Sequence, residues 1–423
     1  MNQDFKWNPY ADQPHNVASK KDRFWYHFRF APGYFSLLTS NFRKAVPVLS
    51  RYRKYKRSLY TAPVSLCHPI GVSVSPGKQK NDQVLDGLNE LGVRNTLVRI
   101  PSWERDNLDD YKNFAGELKE RGLDILFCLL QRREDVQNPK AWELFLAEAF
   151  SQLKPYGSFF EIGHAWNRTK WGVWDYREYL RLAEPSVTLA KTHEVKIIGP
   201  AVIDFEFHLY PAVLKKIPFD QISSLLYVDR MGAPENTQFG WDTPKKIALL
   251  KAVLDSCLSE EQNIWITEMN WPIAGTGKYS PAVGRMNVSE EEQADYLVRY
   301  FILSLATGFV DRIYWWQLVA PGYGLVDSRQ PEWRKRPSFF AMKALIDRLE
   351  GSSFLKRTHH SGALMFMFRK EKKEFAVCWT RGTSVEHPFA RPVGKVESRE
   401  GDEVPITENR VRIGPSPQYV YFR

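Results

Sequence analysis

From residue 69 onward, short apolar runs alternate with longer stretches whose apolar positions recur every three to four residues. The runs are PIGVSVS (69–75), TLVRI (96–100), DILFCLLQ (124–131), FFEIG (159–163), KIIGPAV (196–202), ISSLLYV (222–228), NIWITE (263–268) and RIYWWQL (312–318). Their length and their β-branched and aromatic content predict strands. Between them lie segments such as VLDGLNELG, YKNFAGELKERG, AWELFLAEAFSQL and PKKIALLKAVLDSCL, which carry the helical period and in several cases end in Gly. Strand–helix alternation builds βαβ units around a parallel sheet. Eight repeats, with RPSFFAMKALIDRL (336–349) as the eighth helix, predict a closed (β/α)₈ TIM barrel. A doubly wound open sheet would want a Gly-rich phosphate loop after an early strand, and the chain has none. After Gly351 the texture changes to short alternating runs (ALMFMFRK, EFAVCWTRG, VRIG, YVYFR) with polar turns, which predict a small antiparallel β-domain. The expected organisation is an N-terminal arm over 1–65, the barrel over 66–351 and the β-domain over 352–423.

Charge changes the picture in one place. The net charge of +10 over 423 residues is concentrated in residues 1–65, which hold twelve Lys/Arg against three Asp/Glu. The basicity belongs to the arm and is no argument for nucleic acid binding by the body. Within the arm, RFWYHFRFAPGYFSLLTSNFRKAVPVLSRYRKYKR (23–57) interleaves aromatics with Arg and Lys. Such a mixture suits an anionic membrane surface, or an arm that packs its rings on the barrel and leaves its charges in water. No run of eighteen apolar residues is present, and the first sixteen residues lack the pattern of a secretory signal. Cys67, Cys128, Cys257 and Cys378 lack metal or redox spacing and are expected to be reduced thiols, mostly buried. The chain is expected to be cytoplasmic, with a peripheral place at the inner membrane face as one option. No cofactor, metal or nucleic acid partner is expected.

In a barrel of this kind, reactive groups come from the C-terminal ends of the strands and the loops that follow. Those ends offer Arg99, Trp103 and Glu104, then His164 and Asn167, then Tyr227 and Asp229, then Glu268, and finally Trp316, Gln317 and Tyr323. Carboxylates, amides, arginine and tryptophans together make a saccharide-like site. Trp315 and Trp316 point in opposite directions by strand alternation, so one lines the pocket and the other packs outward; Trp316 is the expected lining residue. Glu161, on the face of Ala165 but about 13 Å lower along its strand, is expected in the barrel core.

WITEMNWP (265–272), RIYWWQLVAPGYGLVD (312–327) and FEIGHAWN (160–167) resemble three motifs of retaining glycoside hydrolases of the barrel superfamily that includes the β-xylosidase and α-L-iduronidase family. The resemblance implies a glycosidase-like activity on a saccharide or glycoconjugate, with Glu268 as nucleophile. It implies that Arg99, Trp103, Asn167, Tyr227, Asp229, Trp316 and Gln317 hold the sugar. The fourth-strand motif departs from the family pattern: Ala165 stands where the acid/base glutamate belongs, and His164 where the family has asparagine. Retaining hydrolysis uses two carboxyls, one to attack and one to protonate the leaving oxygen, and alanine cannot donate a proton. Three readings stay open. Another group supplies the acid, with His164, Glu104 and Asp229 as candidates. Or an activated sugar needs no acid and the protein is a transglycosylase, for instance in envelope polysaccharide metabolism. Or the chain is an inactive sugar binder.

Overall fold

The computed structural model describes residues 6–15, 19–77, 80–228, 232–280, 287–360, 362–406 and 409–423. Eight parallel strands form a closed barrel: β1 (Ile70–Val74), β2 (Asn95–Pro101), β3 (Asp124–Leu130), β4 (Phe159–Ile162), β5 (Lys196–Ile203), β6 (Gln221–Leu225), β7 (Ile264–Met269) and β8 (Val310–Trp315). Each pairs with its neighbour in sequence, and β8 closes on β1 with Val72 opposite Trp315. Helices follow the strands, among them Asn81–Leu91, Leu108–Glu120, Pro139–Leu153, Tyr176–His193, Thr243–Cys257, Glu290–Leu305 and Pro337–Leu349. Their starts are set by short polar side chains. Asp175, Asp242 and Asn138 each accept a backbone N–H of the first turn, and Ser289 with Glu292 forms a reciprocal cap.

Strand alternation divides the apolar residues into two cores. Val72, Phe127, Phe160, Ile313 and Trp315 face the helices, whereas Leu97, Leu126, Cys128, Ile198, Leu225, Trp265 and Tyr314 fill the barrel. Glu161 is buried among the inner set, and Thr267 donates to it over 2.7 Å.

Residues 352–423 form antiparallel sheets, as the alternating runs predict. The larger has the order Val393–Glu397, Gln418–Phe422, Lys373–Thr380, Ala363–Lys370, Ser352–His360. Its sixth strand, however, is Val64–Ser65, from the far end of the chain. The N-terminal segment is thus no detached arm. It contains a short hairpin (Trp7–Asn8 with Gln13–Pro14), helix α1 (Lys20–Arg29) and the 28-residue helix α2 (Ala31–Ser58). Helix α2 lies on the barrel's outer layer: Tyr55 Oη donates to Asp255 over 2.5 Å, Lys44 Nζ to the Ser256 carbonyl over 2.6 Å, and Asn41 Nδ2 to the His208 carbonyl over 2.8 Å. Among the described residues no helix is long and apolar enough to cross a membrane.

Candidate active site

A cavity of about 320 Å³ opens at the C-terminal mouth of the barrel, within the range of small-molecule sites. Glu268, at the end of β7, sits in its wall. By alternation Trp265 and Thr267 point inward, which would turn Glu268 outward. The β7–β8 register shifts between Ile266 and Met269, and an irregularity of this kind re-aims a side chain.

Three partners hold the Glu268 carboxylate. Arg99, from β2, donates Nη2 to Oε2; Tyr227, after β6, donates to Oε1 over 2.5 Å; and His164 Nε2, after β4, lies 3.3 Å from Oε2. Burial works to raise the Glu268 pKa, but the Arg99 charge, His164 and Tyr227 outweigh it and hold it at about 2. Burial, then the Arg99 charge, push His164 down to about 4, so the imidazole is neutral near pH 7. Its main chain is clamped by Gln131, whose side chain accepts from the His164 N–H at 2.8 Å and donates to its carbonyl at 3.0 Å. Arg99 itself lies flat on Trp316, with the guanidinium carbon 3.2 Å from the ring centroid, a cation–π contact. A saccharide entering here would meet an ionised carboxylate, a phenol that burial keeps protonated, and the indoles of Trp171 and Trp316.

The sequence candidates are not all brought together. Arg99, His164, Tyr227, Glu268 and Trp316 line the cavity. Gln317 lies beside it in an adjoining recess, with Nε2 3.5 Å from Asp12 and from the Tyr323 hydroxyl. Asn167 is turned away: its side chain bonds the Ile203 backbone at both ends and reaches Glu206 over 2.9 Å. Trp103 packs on Trp7, ring centroids 5.1 Å apart. Glu104 accepts the Tyr111 hydroxyl. Asp229 falls outside the described residues. Ala165 is fully buried in the inner core with φ of +42°, so that position delivers nothing to the cavity.

The sequence pattern missed Asp12, Gln13, Lys170, Trp171 and Asp204, which also line the cavity. Asp12 and Gln13 belong to the N-terminal hairpin, which caps the mouth. No periodicity marks ten residues whose anchors lie on distant loops; the density of Trp, Tyr, Pro and Asp in WNPYADQP is the available signal. As for metal ligation, Cys128, Glu161 and His164 each place one donor atom within 4.8 Å of the others. Burial raises both the Cys128 thiol and the Glu161 carboxyl, which favours the protonated forms, whereas a ligand must be deprotonated.

Among solved structures, the chain is similar to a family 39 glycoside hydrolase from the gut symbiont Bacteroides cellulosilyticus, with a TM-score of 0.67 and 16% identity over 85% of this chain and 81% of that one. What the two share is the (β/α)₈ barrel. A family 30 endoxylanase from Clostridium papyrosolvens (TM-score 0.58, 13% identity, 86% of this chain and 98% of that one) and a family 51 arabinofuranosidase from Xanthomonas axonopodis pv. citri (0.57, 11%, 86% and 98%) share it. No protein-family model and no curated protein matches the chain by sequence. At these identities the likeness is one of fold.

Proposed function

We propose that the protein is a glycosidase-like, carbohydrate-active enzyme in which Glu268 attacks an anomeric carbon. One observation carries this: an ionised carboxylate, fixed by Arg99 and Tyr227, in the wall of a sugar-sized cavity at the strand ends of a barrel whose structural neighbours are glycoside hydrolases. Trp316 would line the subsite and back the Arg99 guanidinium. His164, neutral and directed at Glu268, would position the nucleophile. The lowered pKa keeps the Glu268 carboxylate ionised, as attack on an anomeric carbon requires. The test uses 2,4-dinitrophenyl 2-deoxy-2-fluoro glycosides of the β-D-xylo, β-D-gluco and α-L-arabino series. A covalent adduct on Glu268, seen by intact and peptide mass spectrometry and lost in Glu268→Gln, is the expected result. Absence of adduct, with sugar binding retained by calorimetry, would leave a sugar-binding protein in its place.

A second reading concerns place. On the outer face of α1 and α2, Phe24, Trp25, Phe28, Phe35, Leu38, Phe42, Val46 and Leu49 are exposed; Phe42 is 81% and Val46 78% exposed. The stripe continues into Arg53, Lys54 and Arg57, and α2 contains no Asp or Glu. Apolar side chains grading into bare positive charge on one helix face suit an anionic lipid surface. Such docking would set the enzyme at the inner face of a membrane, where envelope glycoconjugates are assembled. Flotation with phosphatidylglycerol vesicles at low salt tests it. Co-flotation that fades with added salt is expected, and protein left at the bottom with charged and neutral vesicles alike would remove the idea.

A further inference from the structure

A nucleophile of this type needs a second carboxyl across the pocket, and the fourth-strand position holds Ala165. Among the described residues, the cavity is lined by three carboxylates: Glu268, Asp204 and Asp12. Asp204 is committed to Arg168, whose Nη2 stands 2.6 Å from it. Glu104 is bound by the Tyr111 hydroxyl and does not reach the cavity.

Asp12 lines the cavity and is held more loosely. Its Oδ2 lies 3.9 Å from Arg99 Nη1, while the other terminal nitrogen of the same guanidinium serves Glu268. One arginine thus faces two carboxyls from different parts of the chain. Two carboxyls set about 5–5.5 Å apart define the retaining arrangement. Asp12 is half-buried, with 31% of its side chain open. Burial raises its pKa; Glu268 and Glu104 push the same way, and Arg99 and Gln317 oppose them without cancelling the rise. Its backbone sits at φ +49°, a left-handed conformation that aspartate tolerates better than most residues.

The hairpin that carries it is pinned to three loops around the mouth. Trp7 packs on Trp103, after β2, and edge-on to Trp171, after β4, at 6.0 Å. Lys170 Nζ donates to Gln13. Tyr10 meets Tyr279, after β7, with centroids 5.6 Å apart, and Lys278 Nζ lies 3.7 Å from the Tyr10 centroid. Anchors on opposite sides of the rim hold a short element in fixed register, which a proton donor requires.

We propose that Asp12 is the acid/base carboxyl of this site, supplied by the N-terminal hairpin in place of the fourth strand. The assignment rests on Glu268 as nucleophile. In the first half-reaction Glu268 forms a bond to the anomeric carbon and the glycosidic C–O bond breaks. Its electron pair stays on the leaving oxygen, which takes the Asp12 proton and departs as an alcohol. In the second, Asp12 carboxylate removes a proton from water, the resulting oxygen attacks the anomeric carbon, and the ester bond to Glu268 breaks to restore the carboxylate.

The experiment compares wild type with Asp12→Asn, each verified as folded by circular dichroism and melting temperature, on methyl and 2,4-dinitrophenyl glycosides of whichever series labels Glu268. Loss of the proton donor lowers the methyl glycoside rate about 10²–10⁴-fold. Formation of the glycosyl-enzyme from the dinitrophenyl glycoside, whose leaving group needs no proton, holds within ~10-fold. Azide, which attacks without deprotonation, accelerates turnover of Asp12→Asn on the dinitrophenyl glycoside and yields a glycosyl azide. In wild type the methyl glycoside rate falls as pH rises through the Asp12 pKa, and Asp12→Asn lacks that limb. Equal effects on both leaving groups, or no azide product, would overturn the role of Asp12 while Glu268 labelling stands. A wild type that no activated fluoro-sugar labels would sink both assignments together.

Discussion

At the level of single residues, the chemistry turns on how one guanidinium is shared. Arg99 is buried, stacked on Trp316 and bonded to Glu268, and its charge works to lower the pKa of Glu268, His164, Tyr227 and Asp12 alike. Replacing it with Lys keeps a charge but loses the planar fork. The Glu268 pKa should then climb from about 2, and the acid limb of the pH–rate profile should move upward with it. His164 makes a separate stability prediction. Its folded pKa of about 4 lies below the ordinary histidine value, so between about pH 6.5 and pH 4 the unfolded chain binds a proton that the native chain refuses. Stability from this source is intact above pH 6.5 and is lost as pH falls to about 4. The loss is roughly 3 kcal/mol, visible as a falling urea midpoint. His164→Gln should flatten that part of the curve; an unchanged slope would argue against a neutral buried imidazole.

Whole elements were legible to different degrees. All eight strands emerge from the sequence to within three residues, because a barrel strand is buried on both faces and so must be a dense β-branched and aromatic run. That Glu268, Arg99 and Tyr227 lie at one mouth of the barrel was legible for the same reason: strand ends are fixed once strands are. Asn167 and Trp103 were misplaced because loop side chains obey local hydrogen bonds and contacts that no period encodes. In the N-terminal segment the basic, aromatic character was plain, yet its long helix was not, since Pro47 lies inside α2 and proline argues against a helix interior. Two element-scale outcomes follow. Phe42→Asp with Val46→Asp, both on exposed positions, should abolish vesicle flotation and leave stability within about 0.5 kcal/mol. Trp7→Ala should raise amide exchange over residues 6–15 and spare the barrel strands, because the hairpin's hold is local to its rim contacts.

On the scale of the whole molecule, barrel and C-terminal sheet share a polar seam. Glu235 pairs with Arg299 on a barrel helix and accepts the Trp379 indole N–H from the sheet over 2.7 Å. Tyr60 packs on Phe366 of the sheet, ring centroids 5.2 Å apart, and donates to the Leu303 carbonyl of a barrel helix over 2.8 Å. Glu235→Gln leaves Arg299 buried opposite a neutral amide, with its charge partner gone. A cost of about 3–5 kcal/mol is expected, and it should appear as one cooperative transition shifted downward in calorimetry. Two separated transitions would show the seam to be weak.

Val64–Ser65 has consequences of its own for synthesis on the ribosome. That strand leaves the exit tunnel before the whole barrel sequence and meets its partner only when the segment beginning at Ser352 has followed it out. The edge of the sheet is therefore written on one side of the barrel sequence and closed on the other. Truncation before Ser352, even with the barrel complete, would leave Val64–Ser65 without its partner.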